Sequence, residues 1–300
     1  MYQPLHPFIE DRIPVRDVQY HVLRWETGPN TAPPLVLCHG WMDVAASFQF
    51  LVDQLKAPRT IIAPDWRGFG GTATPHADHF VYADYLLDLD YLLDHYAGQQ
   101  PVDLVGHSMG GNIVLQYAGV RPERIRKVIN LEGFGLPATQ AAQAPGRLRQ
   151  WMDEVRALRT GELDLRSYDS AEQVAQRLQR TNPRLPADKA AWLAQYWSAV
   201  GADGRWHIRA HAGHKIHNHQ LYHVDEANAS LAGITAPTLC VRASDNSIKA
   251  YWGDNYLEAE FYERMAHIPN VQHQRVEACG HMLHHDQPKA VAQLIEEFLA

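Results

Sequence analysis

Residues 102–111 read VDLVGHSMGG, and this stretch constrains the fold more tightly than any other. The first four residues are a short, largely apolar run of the kind that forms a buried strand. Residues 111–118 then carry apolar side chains three and four apart, as an amphipathic helix requires. Gly106-His107-Ser108-Met109-Gly110-Gly111 must therefore turn the chain from strand into helix within a few residues. A serine at such a turn sits on a tight, strained bend, and small residues two before and two after it relieve the crowding. The bend lifts the hydroxyl clear of the backbone and aims the following N–H groups at the same space. The pattern G-x-S-x-G alone is common by chance; the flanking strand and helix make it specific. A phosphate-binding loop would need G-x-x-x-x-G-K-[ST], and no lysine follows here.

The same rhythm extends on both sides. Short apolar runs at 34–38 (PLVLC), 60–63 (TIIA), 128–131 (VINL) and 238–241 (TLCV) predict further buried strands. Amphipathic patterns at 45–55 and 82–96 predict helices between them. Strand–helix alternation of this kind means α/β architecture, a mostly parallel sheet with helices on both faces. Strands are also expected near 19–25 and 271–276, and a last helix at 288–299. From about Gly135 to Ile234 the rhythm lapses. Helical patterns at 146–158, 170–179 and 186–200 follow one another without strands, and Ser170 with Gln173 suggests a capping box. Trp151, Trp192, Trp197 and Trp206 fall in this stretch and read as packing residues. The organisation expected is a core of 1–135 with 235–300, and a helical cap of 136–234 over the sheet.

Composition narrows the function classes. Twenty-seven Lys and Arg against 34 Asp and Glu give a net charge of −7, with no basic run to follow a phosphate backbone, so nucleic acid is not an expected partner. No apolar run approaches the ~18 residues of a membrane span. The first ten residues lack the basic and apolar regions of a secretory signal. Cys38, Cys240 and Cys279 cannot all pair and show no CxxC spacing, which suits reduced thiols and a cytoplasmic location.

The chain resembles the α/β-hydrolase fold superfamily over nearly its whole length. The elbow GHSMGG is joined by His39-Gly40-Trp41 after the strand at 34–38, which resembles the family's oxyanion loop. Asp65-Trp66-Arg67-Gly68-Phe69-Gly70 resembles its glycine turn, although Gly71-Thr72 stands where many members have serine. The helical insert sits where the family carries its lid. The resemblance implies a serine hydrolase with the chain order nucleophile, acid, histidine. Ser108 is then the nucleophile. His281, in Cys279-Gly280-His281-Met282-Leu283-His284-His285 between the last strand and the last helix, is the base. Asp245, the first carboxylate past the strand at 238–241, is the favoured acid; Glu132, in Asn130-Leu131-Glu132-Gly133-Phe134-Gly135, is the competing one. By position the oxyanion would be held by the backbone amides of Met109 and Trp41, with Trp41, His107 and Phe134 lining the substrate pocket. Cys38 and His39 are expected to serve packing and loop hydrogen bonds, and His284 and His285 to open the last helix facing solvent or the lid.

The expected reaction is cleavage of an ester, thioester or lactone of a small, moderately apolar molecule through an acyl-enzyme, without cofactor or metal. Carbon–carbon bond hydrolysis and haloperoxidase-like chemistry use similar residues in the same family, and a ligand-binding member without catalysis is the reading from another class. Serine at the elbow argues against members that open epoxides or remove halide through an aspartate. His207, His211, His214, His217, His219 and His223 crowd one segment of the insert. They read as structural or solvated histidines; a metal held by His207 and His211 at helical spacing, or a pH-sensitive lid, are the alternatives. Gly133 and Gly135 would suit a hinge for the cap.

Overall fold

A computed structural model describes residues 2–28 and 32–300. The chain first lays down six strands: β1 (Ile9–Val15), β2 (Val18–Glu26), β3 (Leu35–Cys38), β4 (Thr60–Pro64), β5 (Val102–His107) and β6 (Ile125–Leu131). Three short strands lie in the insert, β7 (Ser167–Tyr168), β8 (Ser198–Val200) and β9 (Trp206–Ile208). The main sheet is completed by β10 (Thr238–Ala243) and β11 (Val271–Val276). Its order is β1-β2-β4-β3-β5-β6-β10-β11. The β1/β2 and β2/β4 pairs are antiparallel and all other neighbours are parallel. Every residue of β3, β5 and β10 is buried, which is why these strands read as apolar runs rather than alternating ones. β1, IEDRIPV, escaped the sequence reading because it is a charged edge strand.

Helices α1 (Gln49–Val52), α2 (Tyr82–Ala97) and α3 (Met109–Val120) connect the first strands. The helix expected at 45–55 is shorter, a 3-10 turn Ala45–Phe48 running into α1; all eight residues are buried, so its apolar spacing marked core rather than one helical face. The insert carries α4 (Ala144–Thr160), α5 (Ala171–Thr181) and α6 (Ala187–Trp197). It is not free of strands as expected: β7, β9 and β8 form a small antiparallel sheet. Strands of two or three residues are too short to display an alternation. Helix α7 (Val224–Ala232) packs on α3, where Gly119 leaves room; a Cβ there would lie 1.8 Å from the Ser230 carbonyl oxygen. Helices α8 (Ser247–Trp252) and α9 (Glu258–Met265) separate β10 from β11, and α10 (Leu283–Asp286) and α11 (Pro288–Leu299) close the chain.

The histidine-rich return is a docking device. The His214 ring stacks between Phe69 and Phe80 at centroid distances of 3.7 and 3.6 Å, and Nε2 donates to the Arg67 carbonyl at 3.1 Å. Burial pushes this imidazole down to about 3, so it is neutral in the stack. Gly68 and Gly70 complete the contact through main-chain bonds, His211 N–H to Gly68 O at 2.7 Å and Gly70 N–H to Arg209 O at 2.8 Å. The alternative of a metal held by His207 and His211 at helical spacing loses its premise, because His207 lies in β9, which ends at Ile208. Among the described residues, none of the histidines from 207 to 223 joins a group of three donors able to share an ion. No helix among the described residues is long and apolar enough to cross a membrane.

Helix α3 also fits closely against the strand ends. A Cβ on Gly110 would meet the Cys38 carbonyl oxygen at 2.0 Å, and one on Gly106 would meet the Gly110 oxygen at 2.2 Å. Backbone atoms cannot swing aside as flexible side chains do. Gly110→Ala is therefore expected to cost about 3 kcal/mol or more in chemical denaturation. Gly146→Ala is the opposite case: it sits in α4 with nothing within 4 Å of a built Cβ. That change should raise stability by about 0.5–1 kcal/mol.

Candidate active site

Ser108 stands between β5 and α3 with φ 54° and ψ −117°, a left-handed conformation that a side chain disfavours. Its N–H donates to the Leu131 carbonyl at 2.9 Å, and its own carbonyl accepts from Asn112 N–H at 3.1 Å. The bend is thus tied on one side to β6 and on the other to the first turn of α3. His281 follows β11 on the loop before α10, with Nε2 2.8 Å from Ser108 Oγ. The other ring nitrogen, Nδ1, lies 3.4 Å from Glu132 Oε2. Hydroxyl, imidazole and carboxylate form one row, supplied by the ends of β5, β11 and β6.

Glu132 is fully buried and also has a left-handed backbone, φ 57°. Its Oε1 accepts from Arg242 Nε at 2.7 Å and from the Ala243 N–H at 2.8 Å. Burial alone would raise its pKa; the His281 hydrogen bond and the Arg242 charge outweigh burial and hold the carboxyl at about 2. The turn after it is clasped by Asn130, whose side chain accepts from Gly133 N–H at 2.8 Å and donates to Gly133 O at 2.6 Å.

Asp245, favoured by the sequence reading, does not face the imidazole. It is half exposed and paired with Arg184 of the insert, Nη1 to Oδ2 at 2.7 Å. β10 delivers Arg242 and an amide to the carboxylate of the neighbouring strand instead. A positively charged residue ending an otherwise apolar strand was the available signal for this, and it was missed. His284 and His285 do not face solvent; both are buried. Cys38 is buried, and His39 is spent within its loop, Nδ1 on Gly40 O at 2.7 Å and Nε2 accepting from Trp66 N–H at 2.9 Å.

Of the remaining positions expected at the site, His107 and Phe134 lie against the imidazole. His107 is buried and donates from Nε2 to the main-chain oxygen of His281 at 2.8 Å, and burial holds its imidazole far below the usual value. The Phe134 ring is buried 5.6 Å from the His281 ring. Tyr251 of α8, which the sequence did not single out, lies 4.8 Å from His281 and is 60% exposed. Trp41 is 54% exposed, its indole donating to the His214 carbonyl at 3.2 Å. Met109 opens α3, where the first N–H groups have no partner within the helix.

The two arginine–carboxylate pairs differ in their stake. Arg242→Met strands a buried carboxylate and should cost about 3–5 kcal/mol in denaturant titration. Asp245→Asn breaks an exposed pair and should cost less than about 1 kcal/mol.

Comparison with known proteins identifies the family of the chain. The family described as alpha/beta hydrolase fold matches residues 33–288. A serine hydrolase-like protein of Danio rerio is 23% identical over 278 residues, 91% of this chain and 83% of that protein. The 2-hydroxy-6-oxo-2,4-heptadienoate hydrolase of Pseudomonas putida is 34% identical over 106 residues, 34% of this chain and 38% of that enzyme. The cis-3-alkyl-4-alkyloxetan-2-one decarboxylase of Shewanella oneidensis is 27% identical over 279 residues, 89% of this chain and 81% of that enzyme. Among solved structures, the thioesterase domain from the curacin biosynthetic pathway superposes with a TM-score of 0.81 at 22% identity, covering 97% of this chain and 99% of that one. A hypothetical protein of Pseudomonas aeruginosa gives 0.80 at 25% identity, with 96% and 97% covered. The chain belongs to the alpha/beta hydrolase fold family and is a hydrolase.

Proposed function

We propose that this hydrolase cleaves an ester, thioester or lactone of a small, moderately apolar substrate through an acyl-enzyme on Ser108. The observation that carries the reading is the 2.8 Å contact between Ser108 Oγ and His281 Nε2 at a strained strand-to-helix bend. Ser108 Oγ attacks the substrate carbonyl carbon as His281 Nε2 takes its proton. Glu132, not Asp245, faces Nδ1, and its anionic form stabilises the imidazolium and fixes the tautomer. The developing oxyanion is met by the amides of Met109 and Trp41, the first supported by its place at the start of α3. Collapse of the tetrahedral species expels the alcohol or thiol, which takes the proton from His281. Water then attacks the acyl-enzyme by the same steps in reverse order of roles, releasing the acid and restoring Ser108. In this reading the reaction needs neither cofactor nor metal.

The insert, 136–234, serves in this reading as the cap, with Gly133 and Gly135 at its junction with β6. Exposed Tyr251 and buried Phe134 put aromatic surface beside the imidazole, which suits an apolar acyl group. A lactone fits the Shewanella relative, since an oxetan-2-one is a four-membered lactone. Carbon–carbon bond hydrolysis is the second reading, favoured by matches of 34% and 31% identity to dienoate and semialdehyde hydrolases, each over less than half of this chain.

Ser108→Ala should abolish labelling by a fluorophosphonate probe and lower kcat on p-nitrophenyl acetate by about 10⁴-fold or more, with an unchanged circular dichroism spectrum. Glu132→Gln should lower kcat by about 10³–10⁴-fold. Asp245→Asn should change it less than about tenfold, because an exposed ion pair is weak. The reverse ranking of these two carboxylates would return the acid to β10. Assay on a panel of esters, thioesters, lactones and vinylogous diketones separates acyl transfer from carbon–carbon cleavage.

A further inference from the structure

Three buried side chains beside the catalytic row have donor atoms that nothing in the protein satisfies. His107 gives its Nε2 proton to the His281 carbonyl, so Nδ1 carries the lone pair, and that atom is buried without a partner. Asp43 accepts from the Trp197 indole on Oδ1 at 3.0 Å, while Oδ2 is buried without a partner. Both ring nitrogens of His284 are in the same condition, and its ring lies 4.4 Å from that of His107. One ligand atom from each of the three residues falls within 4.8 Å of the others. Buried polar atoms are satisfied in the great majority of cases, so their convergence on one point calls for an occupant.

The chemistry of the donors selects the occupant. Two imidazoles and one carboxylate suit the divalent transition ions from iron to zinc. Metal-bound histidines donate their second nitrogen to a carbonyl or carboxylate, and metal-bound carboxylates are themselves hydrogen-bonded. His107 and Asp43 already meet both conditions through His281 O and Trp197 Nε1. Asp43 forms no ion pair with lysine or arginine among the described residues, and a water molecule would fill the space without balancing its charge. A triangle with 4.8 Å sides has its corners about 2.8 Å from the centre, against metal–nitrogen bonds of about 2.0–2.1 Å. Each donor would move inward by roughly 0.7 Å, a shift within reach of side-chain torsions.

We propose that Asp43, His107 and His284 form a buried site for one divalent transition-metal ion, zinc or its neighbours, outside the reacting atoms. The three donors come from three segments: the loop after β3 that carries Trp41, the end of β5 next to Ser108, and α10, which follows His281. An ion there cross-links them, with Trp197 of the insert as the outer support. Its role is to fix the relative positions of these segments, not to take part in acyl transfer.

The test uses full-length, tag-free protein dialysed against EDTA and titrated with Zn²⁺ by calorimetry. One equivalent should bind and raise Tm, and Co²⁺ should give the visible absorption of a low-symmetry nitrogen–oxygen site. Asp43→Asn and His284→Gln should each weaken Zn²⁺ binding by about 100-fold or more, and Trp197→Phe by about tenfold. His217→Gln, on the exposed face beside Glu154, should change nothing. Absence of stoichiometric binding, or binding that survives Asp43→Asn and His284→Gln, overturns the proposal; the latter result would mean adventitious capture by the surface histidines. Where those variants fail to fold, X-ray absorption of the Zn²⁺-loaded wild type decides: fewer than two imidazoles in the coordination shell overturns the site.

Discussion

The approach of α3 to the ends of β3 and β5 is the constraint on which the site depends. Ser108 is held at a positive φ, which costs a non-glycine residue about 1–3 kcal/mol. Against this stand the buried Ile113, Val114, Leu115 and Tyr117 of α3, each contributing about 1.5–3 kcal/mol of apolar burial. The packing outweighs the strain, so the bend persists without a substrate to hold it. That balance requires backbone-to-backbone contact at Gly106 and Gly110, because a single methyl group at either place would lift the helix off the strands.

A second constraint is electrostatic. A carboxylate as buried as Glu132 would be neutral unless something replaced its hydration. Arg242 and the Ala243 N–H do so on one oxygen and leave the other for His281. Arg242 is itself buried, its guanidinium 4.8 Å from the Phe261 ring centre and 5.7 Å from that of Phe134. The aromatic faces help to hold a cation away from water. This explains the division of labour between adjacent strands: β6 carries the anion and β10 its counter-charge. With that arrangement in place, the aspartate beyond β10 is free to pair with Arg184 at the surface.

What the sequence made legible follows from the same physics. Strands buried on both faces announce themselves as apolar runs, so β3, β4, β5, β6 and β10 were readable, and GHSMGG was readable because its glycines answer a steric demand. The juxtaposition of Ser108 with His281, 173 positions apart, was reached through chain order rather than through any local signal. The carboxylate was harder. Glu132 and Asp245 both follow strand ends, and the pairing of Arg242 with Glu132, a fact of three-dimensional structure, tells them apart. Likewise the histidines of the insert look alike in sequence, yet His214 is a half-buried stacking element and His217 a surface partner of Glu154. The edge strand β1 and the two- and three-residue strands of the insert were invisible because they bury too little to leave a pattern.

Helix α4 has consequences of another kind. None of its 17 residues is buried, while its apolar Leu148 and Met152 face outward. The return of the insert, by contrast, is clamped through His214. Helix α4 is held by polar contacts instead of apolar burial, Glu154 on His217, Arg147 on the Asn218 and Gln220 carbonyls and Arg159 on Asp78. A segment held in this way opens locally at a smaller free-energy cost than the sheet. Sequence drift along that helix therefore changes the surface of the insert without disturbing the buried packing that holds Ser108, Glu132 and His281.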